Sequence, residues 1–94
     1  MALTLDFYGE YDLAGRRDFN QKLAVGETEP ELIVDFTKVS YIDSSCVAEL
    51  LLFSRARRER GLPPETVFVT AGPVAKVLEV SGVAKVCRVV TRSR

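Results

Sequence analysis

The chain has 94 residues, of which 47% are apolar and 28% charged, with 13 basic side chains balancing 13 acidic ones. These figures bound it to one domain with one modest core and exclude disorder, and no apolar run reaches the roughly 18 residues that read as a membrane span. The absence of histidine removes Ser-His-Asp and Cys-His catalysis, histidine metal ligands and an imidazole acid or base, so the chain is not expected to be an enzyme.

Ala2 to Tyr8 alternates Leu3, Leu5 and Phe7 against Thr4, Asp6 and Tyr8, the period-two pattern of a strand with one buried face. From Asp12 to about Leu23, the residues Leu13, Phe19 and Leu23 fall near helical spacing, with Asp12 as a cap and the poor helix former Gly15 as the weak point. Gly26 to Pro30 is polar and rich in breakers, hence a loop, and Glu31 to Phe36 reads as a largely buried second strand. A helix then starts near Ser45, with Val47, Leu50, Leu51 and Ser54 on one face, and Gly61-Leu62-Pro63-Pro64 stops it. Glu65 to Thr70 is a third strand. Pro73 suits the first position of a helix whose stripe is Val74, Val77, Leu78 and Ser81 and which Gly82 ends. Lys85 to Val90 is the last strand, before a basic, frayed tail from Thr91 to Arg94. The order βαβαβαβ predicts a small α/β domain spanning residues 1–94, with roughly four strands in a mostly parallel or mixed sheet and crossover helices.

Charge is uneven along the chain. Residues 1–49 hold ten acidic and four basic side chains, and residues 50–94 hold three and nine. Sequence halves are not faces, so folding is expected to mix them into one solvated surface. Arg55, Arg57, Arg58 and Arg60 suit the negative end of their helix, and without interleaved aromatics they do not predict a nucleic-acid surface. Cys46 and Cys87 are expected as buried thiols, too few for a zinc site, with a redox role for Cys46 as the minor reading. No phosphate-binding glycine loop, metal cluster or cofactor motif is present.

The junction inside Leu32 to Leu52, LIVDFTKVSYIDSSCVAELLL, carries the chemistry. Asp43, Ser44 and Ser45 stand where cap residues belong, so a hydroxyl sits at a helix N-terminus, where unpaired N–H groups and the helix dipole favour an anion. A phosphate on Ser44 or Ser45 would add roughly 1.5 to 2 negative charges there. By capping alone both serines are ordinary structural residues.

An acidic residue ending a strand, a loop with Val39 and Tyr41-Ile42, then Asp43-Ser44-Ser45 and a Leu-rich helix together resemble the STAS domain of bacterial anti-sigma-factor antagonists. Gly9-Glu10-Tyr11-Asp12 is similar to that family's Gly-Glu-x-Asp turn, and Pro73 to Val86 to its C-terminal helix and Ser-Gly turn, so the resemblance covers nearly the whole chain. Two departures stand out. Cys46 replaces the family's usual Gly after the hydroxyl pair, and Met1 to Tyr8 leaves no room for its extra N-terminal strand. The resemblance implies a cytoplasmic switch whose partner is an anti-sigma factor that is also a serine kinase, with Ser44 the phosphoacceptor and a phosphatase to reset it. Asp12, Asp43, Ser44, Ser45 and Cys46 are the implied partner-binding positions. An alternative from the same resemblance is the regulatory subunit of a phospholipid-transport ABC complex, bound to its ATPase without a phosphorylation cycle; a scaffold in a stress-signalling assembly is a third. Leu52 falls off the helix's apolar face, and a wide core stripe is its expected account, with exposure for a partner as the other.

Overall fold

The computed structural model describes residues 2–93. The chain forms β1 (Leu3–Tyr11), a 3-10 turn (Leu13–Gly15), α1 (Arg16–Ala24), β2 (Leu32–Ile42), α2 (Ser44–Glu59), β3 (Thr66–Thr70), α3 (Pro73–Ser81), a second 3-10 turn (Val83–Lys85) and β4 (Arg88–Arg92). The strands pair in chain order, β1-β2-β3-β4, and every pairing is parallel. The expected four-stranded α/β sheet with crossover helices is what forms, and among the described residues no strand precedes β1.

Strand order places the helices. Each crossover steps one strand in the same direction, and right-handed crossovers then leave α1, α2 and α3 on one side of the sheet. Leu5, Phe7, Leu32, Val34, Phe36, Val67 and Val69 bury against them, meeting Phe19 and Leu23 of α1, Val47, Leu50 and Phe53 of α2, and Val74 and Leu78 of α3. Phe7, Phe19 and Phe36 form the aromatic centre, with ring centroids 5.1 to 5.9 Å apart in tilted and edge-on pairs. Each such side chain contributes about 1.5 to 3 kcal/mol through burial.

The element boundaries differ from the sequence expectation where pairing overrides local signals. β1 continues through Gly9-Glu10-Tyr11, so that segment is the end of a strand and not a turn. Gly9, at φ 79°, sits where the register against β2 shifts, and only a residue without Cβ enters that conformation freely. β2 likewise runs on to Ile42, since Tyr8 to Tyr11 supply it with partners, and the expected loop at Val39 and Tyr41-Ile42 is strand. Gly15 splits the first helix: Asp12 caps a 3-10 turn, α1 proper begins at Arg16, and Leu13 is exposed. β4 begins at Arg88, and Thr91 and Arg92 pair with Val69 and Thr70, so most of the expected frayed tail is strand. Arg94 and Met1 lie outside the described residues.

A second correction concerns Arg57, expected on the surface. It is buried, and its guanidinium donates to the carbonyls of Gly26 (2.9 Å), Glu29 (2.7 Å) and Pro63 (3.0 Å), with Nε 3.8 Å from Glu65. Glu65 is itself buried and accepts a short hydrogen bond from the Ser54 hydroxyl. This network ties the loop before β2 to the end of α2 and the start of β3. Burial lowers the Arg57 pKa from its usual value while Glu65 and Glu29 oppose the shift.

The sheet's other face carries no helix among the described residues. Across the strands it presents Thr4, Ile33, Thr66 and Arg88 in one row and Asp6, Asp35, Phe68 and Val90 in the next. Because strand order follows chain order, Asp6 and Asp35 lie toward one side of this face and Arg88 and Arg92 toward the other, with Lys38 of β2 over the Tyr8 ring of β1.

Candidate functional site

Parallel pairing brings the carboxyl ends of β1 and β2 together, the place where open α/β sheets put their functional residues. Tyr11 and Ile42 are register partners, and the Asp43 N–H donates to the Tyr11 carbonyl at 2.8 Å. The residues that follow, Asp12 and Asp43, are therefore neighbours although far apart in sequence. Asp12 Oδ1 accepts from the Gly15 N–H at 3.0 Å and starts the 3-10 turn. Asp43 is the N-cap of α2, in extended conformation, with Oδ1 accepting from the Ser45 N–H at 2.8 Å. The Ser45 N–H above all holds the Asp43 carboxyl below its usual pKa of 3.8, against the opposing effect of burial.

With the cap supplied by Asp43, Ser44 is the first residue of α2 and is exposed. Its hydroxyl is free of the capping role that an isolated serine at a helix start would take. Ser45 is half-buried, and its Oγ is out of contact with solvent and without a hydrogen-bond partner. The two serines are thus distinguished by geometry: Ser44 faces outward and Ser45 inward.

Cys46 is fully buried, and its thiol points at the Asp12 carbonyl, 3.6 Å away. Its side chain does not reach the surface where a partner would approach, which corrects its expected place among the partner-contacting residues. Burial first, and then the carboxylates of Asp43, Asp12 and Glu49, push its pKa up. That is the opposite of a reactive thiolate at a helix N-terminus. Cys87 is also a free, buried thiol, with its pKa pushed up to about 12, chiefly by burial.

Beside Ser44 runs an apolar groove of about 380 Å³ between α2 and α3, walled by Val47, Ala48 and Leu51 on one side and Lys76, Val77 and Val80 on the other. Val80 is 77% exposed and Leu52 57%. Ser44, Ala48 and Leu52 follow one another at four-residue spacing, so they share the outward face of α2. The expectation that Leu52 belongs to a wide core stripe does not hold. Among the described residues, no group of three or more metal-ligating side chains and no helix long and apolar enough to cross a membrane is present.

Sequence reasoning located Asp12, Asp43 and Ser44 but missed the groove. Its α3 wall was legible only as a core stripe of Val74, Val77 and Leu78, and Val80 lies off that stripe. The signal that would have found it is Val80, a surplus apolar residue just beyond the buried face of α3.

Helices on one side of an all-parallel four-stranded sheet, with an exposed serine at the start of α2, make a small α/β domain. The family model described as "Mlab, STAS domain" matches residues 1–91, and the chain belongs to the STAS domain family. Two solved structures share its fold. The anti-sigma factor antagonist SpoIIAA in its unphosphorylated form aligns with a TM-score of 0.64 at 15% identity, covering 95% of this chain and 78% of that one. The Bacillus cell fate determinant SpoIIAA in the phosphorylated form aligns with a TM-score of 0.62 at 19% identity, covering 97% and 84%. No curated protein sequence matches the chain.

Proposed function

We propose that this STAS domain is a phosphorylation-controlled anti-sigma-factor antagonist. Unmodified, it docks the Ser44 end of α2 and the adjoining apolar groove on an anti-sigma factor that is also a serine kinase, and phosphate on Ser44 releases it. The observation that carries this reading is the exposed Ser44 at the rim of an apolar groove, with the capping role already filled by Asp43. The likeness in fold to a protein described in both unphosphorylated and phosphorylated forms supports it.

The switch follows from local electrostatics. Phosphorylation adds about 1.5 to 2 negative charges beside the ionised Asp43 carboxylate. The helix N-terminus tolerates an anion, so the fold need not rearrange. A partner covering the same surface must desolvate that charge, at a cost of several kcal/mol when it is unpaired, and about 1.4 kcal/mol already changes affinity tenfold. Asp12 would contact the partner beside Ser44, and Ser45 would set the loop from behind. A phosphatase completes the cycle.

The test is intact-mass analysis with peptide mapping of the protein from its native host, joined to capture with Ser44→Ala and Ser44→Asp baits. The expected result is phosphate on Ser44 and a kinase partner held by the alanine bait and lost by the aspartate bait. Equal capture by both baits removes the phosphorylation switch. Stable capture of a transporter ATPase by both moves the assignment to the regulatory subunit of an ABC complex.

A further inference from the structure

The uncovered face of the sheet is unusual for its topology. All-parallel sheets are ordinarily covered on both faces, yet here Ile33, Phe68 and Val90 lie on a face with no helix over it among the described residues. These three are only partly exposed, and a shallow depression of about 410 Å³ lies between the strands beside Phe68. Asp6 and Asp35 stand on β1 and β2, with Lys38 of β2 farther along the strands over the Tyr8 ring, and Arg88 and Arg92 stand on β4. The Arg92 guanidinium lies over the Phe68 ring, 4.4 Å from its centroid, which holds the cation on this face.

We infer that the open sheet face is a homodimer interface, in which a second copy of this chain packs face to face about a twofold axis parallel to the strands. The charge pattern selects that axis. Rotation about an axis along the strands reverses the strand order across the interface, so β4 of the partner copy lies over β1 and the acidic side meets the basic side. Rotation about an axis across the strands lays β1 over β1 and opposes like charges. The sheet register adds a second match: Asp6 and Asp35 lie in the row between those of Arg88 and Arg92, since Asp35 pairs with Phe68, Phe68 with Val90, and Thr66 and Thr70 with the two arginines. Each carboxylate row therefore faces two arginines of the other copy within reach of their long side chains.

The area fixes the strength. Four strands at about 4.8 Å spacing and five residues at about 3.3 Å rise make a patch of about 19 by 17 Å. This is smaller than the roughly 800 Å² per partner of a standard stable interface, so the dimer is a weak and reversible one. The interface lies opposite the helices, so the dimer leaves Ser44 and the apolar groove free. It does not depend on the proposed role of Ser44.

The experiment is sedimentation equilibrium from about 10 µM to about 1 mM on the full chain, with Asp6→Arg, Arg92→Glu and an equimolar mixture of the two. Both side chains are exposed, and circular dichroism checks that each variant is folded. Each single variant opposes like charges at both symmetry-related contacts and is expected to weaken self-association by about tenfold or more. In the mixture, the arginine introduced at position 6 of one variant meets the glutamate introduced at position 92 of the other. The native Arg92 of the first meets the native Asp6 of the second across the symmetry-related contact, so association is restored. Wild-type protein that stays monomeric at the highest concentration overturns the proposal. So does self-association unchanged by either substitution, or a mixture as monomeric as its components.

Discussion

The two poles of the sheet use polar residues in opposite ways. At the amino ends of β2 and β3, Arg57, Glu65 and Ser54 are buried together and bonded across three segments. At the carboxyl ends of β1 and β2, the carboxylates of Asp12 and Asp43 accept bonds only from near chain neighbours, and Ser44 is exposed. The first arrangement fixes loops and cannot be touched by a partner without unfolding. The second leaves a hydroxyl that can gain a charge while the fold beneath it stays put. A switch that works by surface charge needs both: a pole that yields to chemistry and a pole that keeps the sheet from yielding with it.

At the surface pole the expected effect falls on binding alone. Val80→Glu places a charge in the groove beside Ser44, and Ser44→Asp places one at its rim. Each is expected to weaken capture of the partner by about a hundredfold, equivalent to about 2.7 kcal/mol, without moving the denaturation midpoint. Binding by calorimetry and urea unfolding measure the two halves of that statement. A variant that loses binding and stability together would show that the poles are not separable.

At the buried pole the same kind of change acts on folding alone. Arg57→Ala removes the donor to four loop carbonyls and leaves Glu65 with Ser54 alone, and losing one member of a buried pair costs about 3 to 5 kcal/mol, a large part of the stability of a domain this size. Arg57→Lys restores the charge but not the planar fork that reaches Gly26, Glu29 and Pro63 at once, so it recovers only part of the loss. Urea midpoints for the two variants check this. Equal stability of Arg57→Ala and wild type would mean that the loops hold themselves.

These poles were not equally legible in the sequence. Asp43 and Ser44 were, because capping is a local matter settled by two or three neighbouring residues. Arg57 was not: an arginine near a helix C-terminus satisfies the dipole rule, and nothing nearby in sequence announces that Gly26, Glu29 and Pro63 turn their carbonyls toward it. The alternation of Leu3, Leu5 and Phe7 gave β1, and the run through Phe36 gave β2, but their far ends came from pairing with each other, which no local pattern encodes. The open face illustrates the same limit. The uneven charge of the two halves was visible, and only the strand order, one step at a time in chain order, put Asp6 and Asp35 on one side of that face and Arg88 and Arg92 on the other.

The cap is an intermediate case. Asp43→Ala removes the acceptor for the Ser45 N–H and should destabilise the fold by less than Arg57→Ala. The Asp43 pKa is depressed in the folded state, so its contribution is present above its unfolded value of 3.8 and is lost as the pH falls through the lower folded value. The difference between wild type and Asp43→Ala should accordingly be constant near neutrality and shrink in acid below about pH 4. A gap that widens on acidification would contradict the assignment of Asp43 as an ionised cap. The buried thiols bear on the same end of the scale: Cys46 and Cys87 should react with a thiol reagent at neutral pH only as fast as the chain opens, since burial raises both pKa values.

The smallest expected effect is the sharpest test of the difference between the poles. Ser44→Ala deletes a hydroxyl that is exposed and whose capping role Asp43 already fills, so the change in stability should stay within about 0.5 kcal/mol, the range of ordinary surface substitutions. Ser45→Ala, one residue on, removes a solvent-excluded oxygen without a partner. Removing an unsatisfied buried polar atom is neutral or stabilising, so it too should not destabilise. Urea unfolding of both variants beside Asp43→Ala separates the accounts. If Ser44→Ala costs about 1 kcal/mol, the typical value for a lost cap, then the serine holds the helix start itself. A phosphate there would disturb the fold as well as the surface, and the exposed pole would no longer be one that changes charge without consequence beneath it.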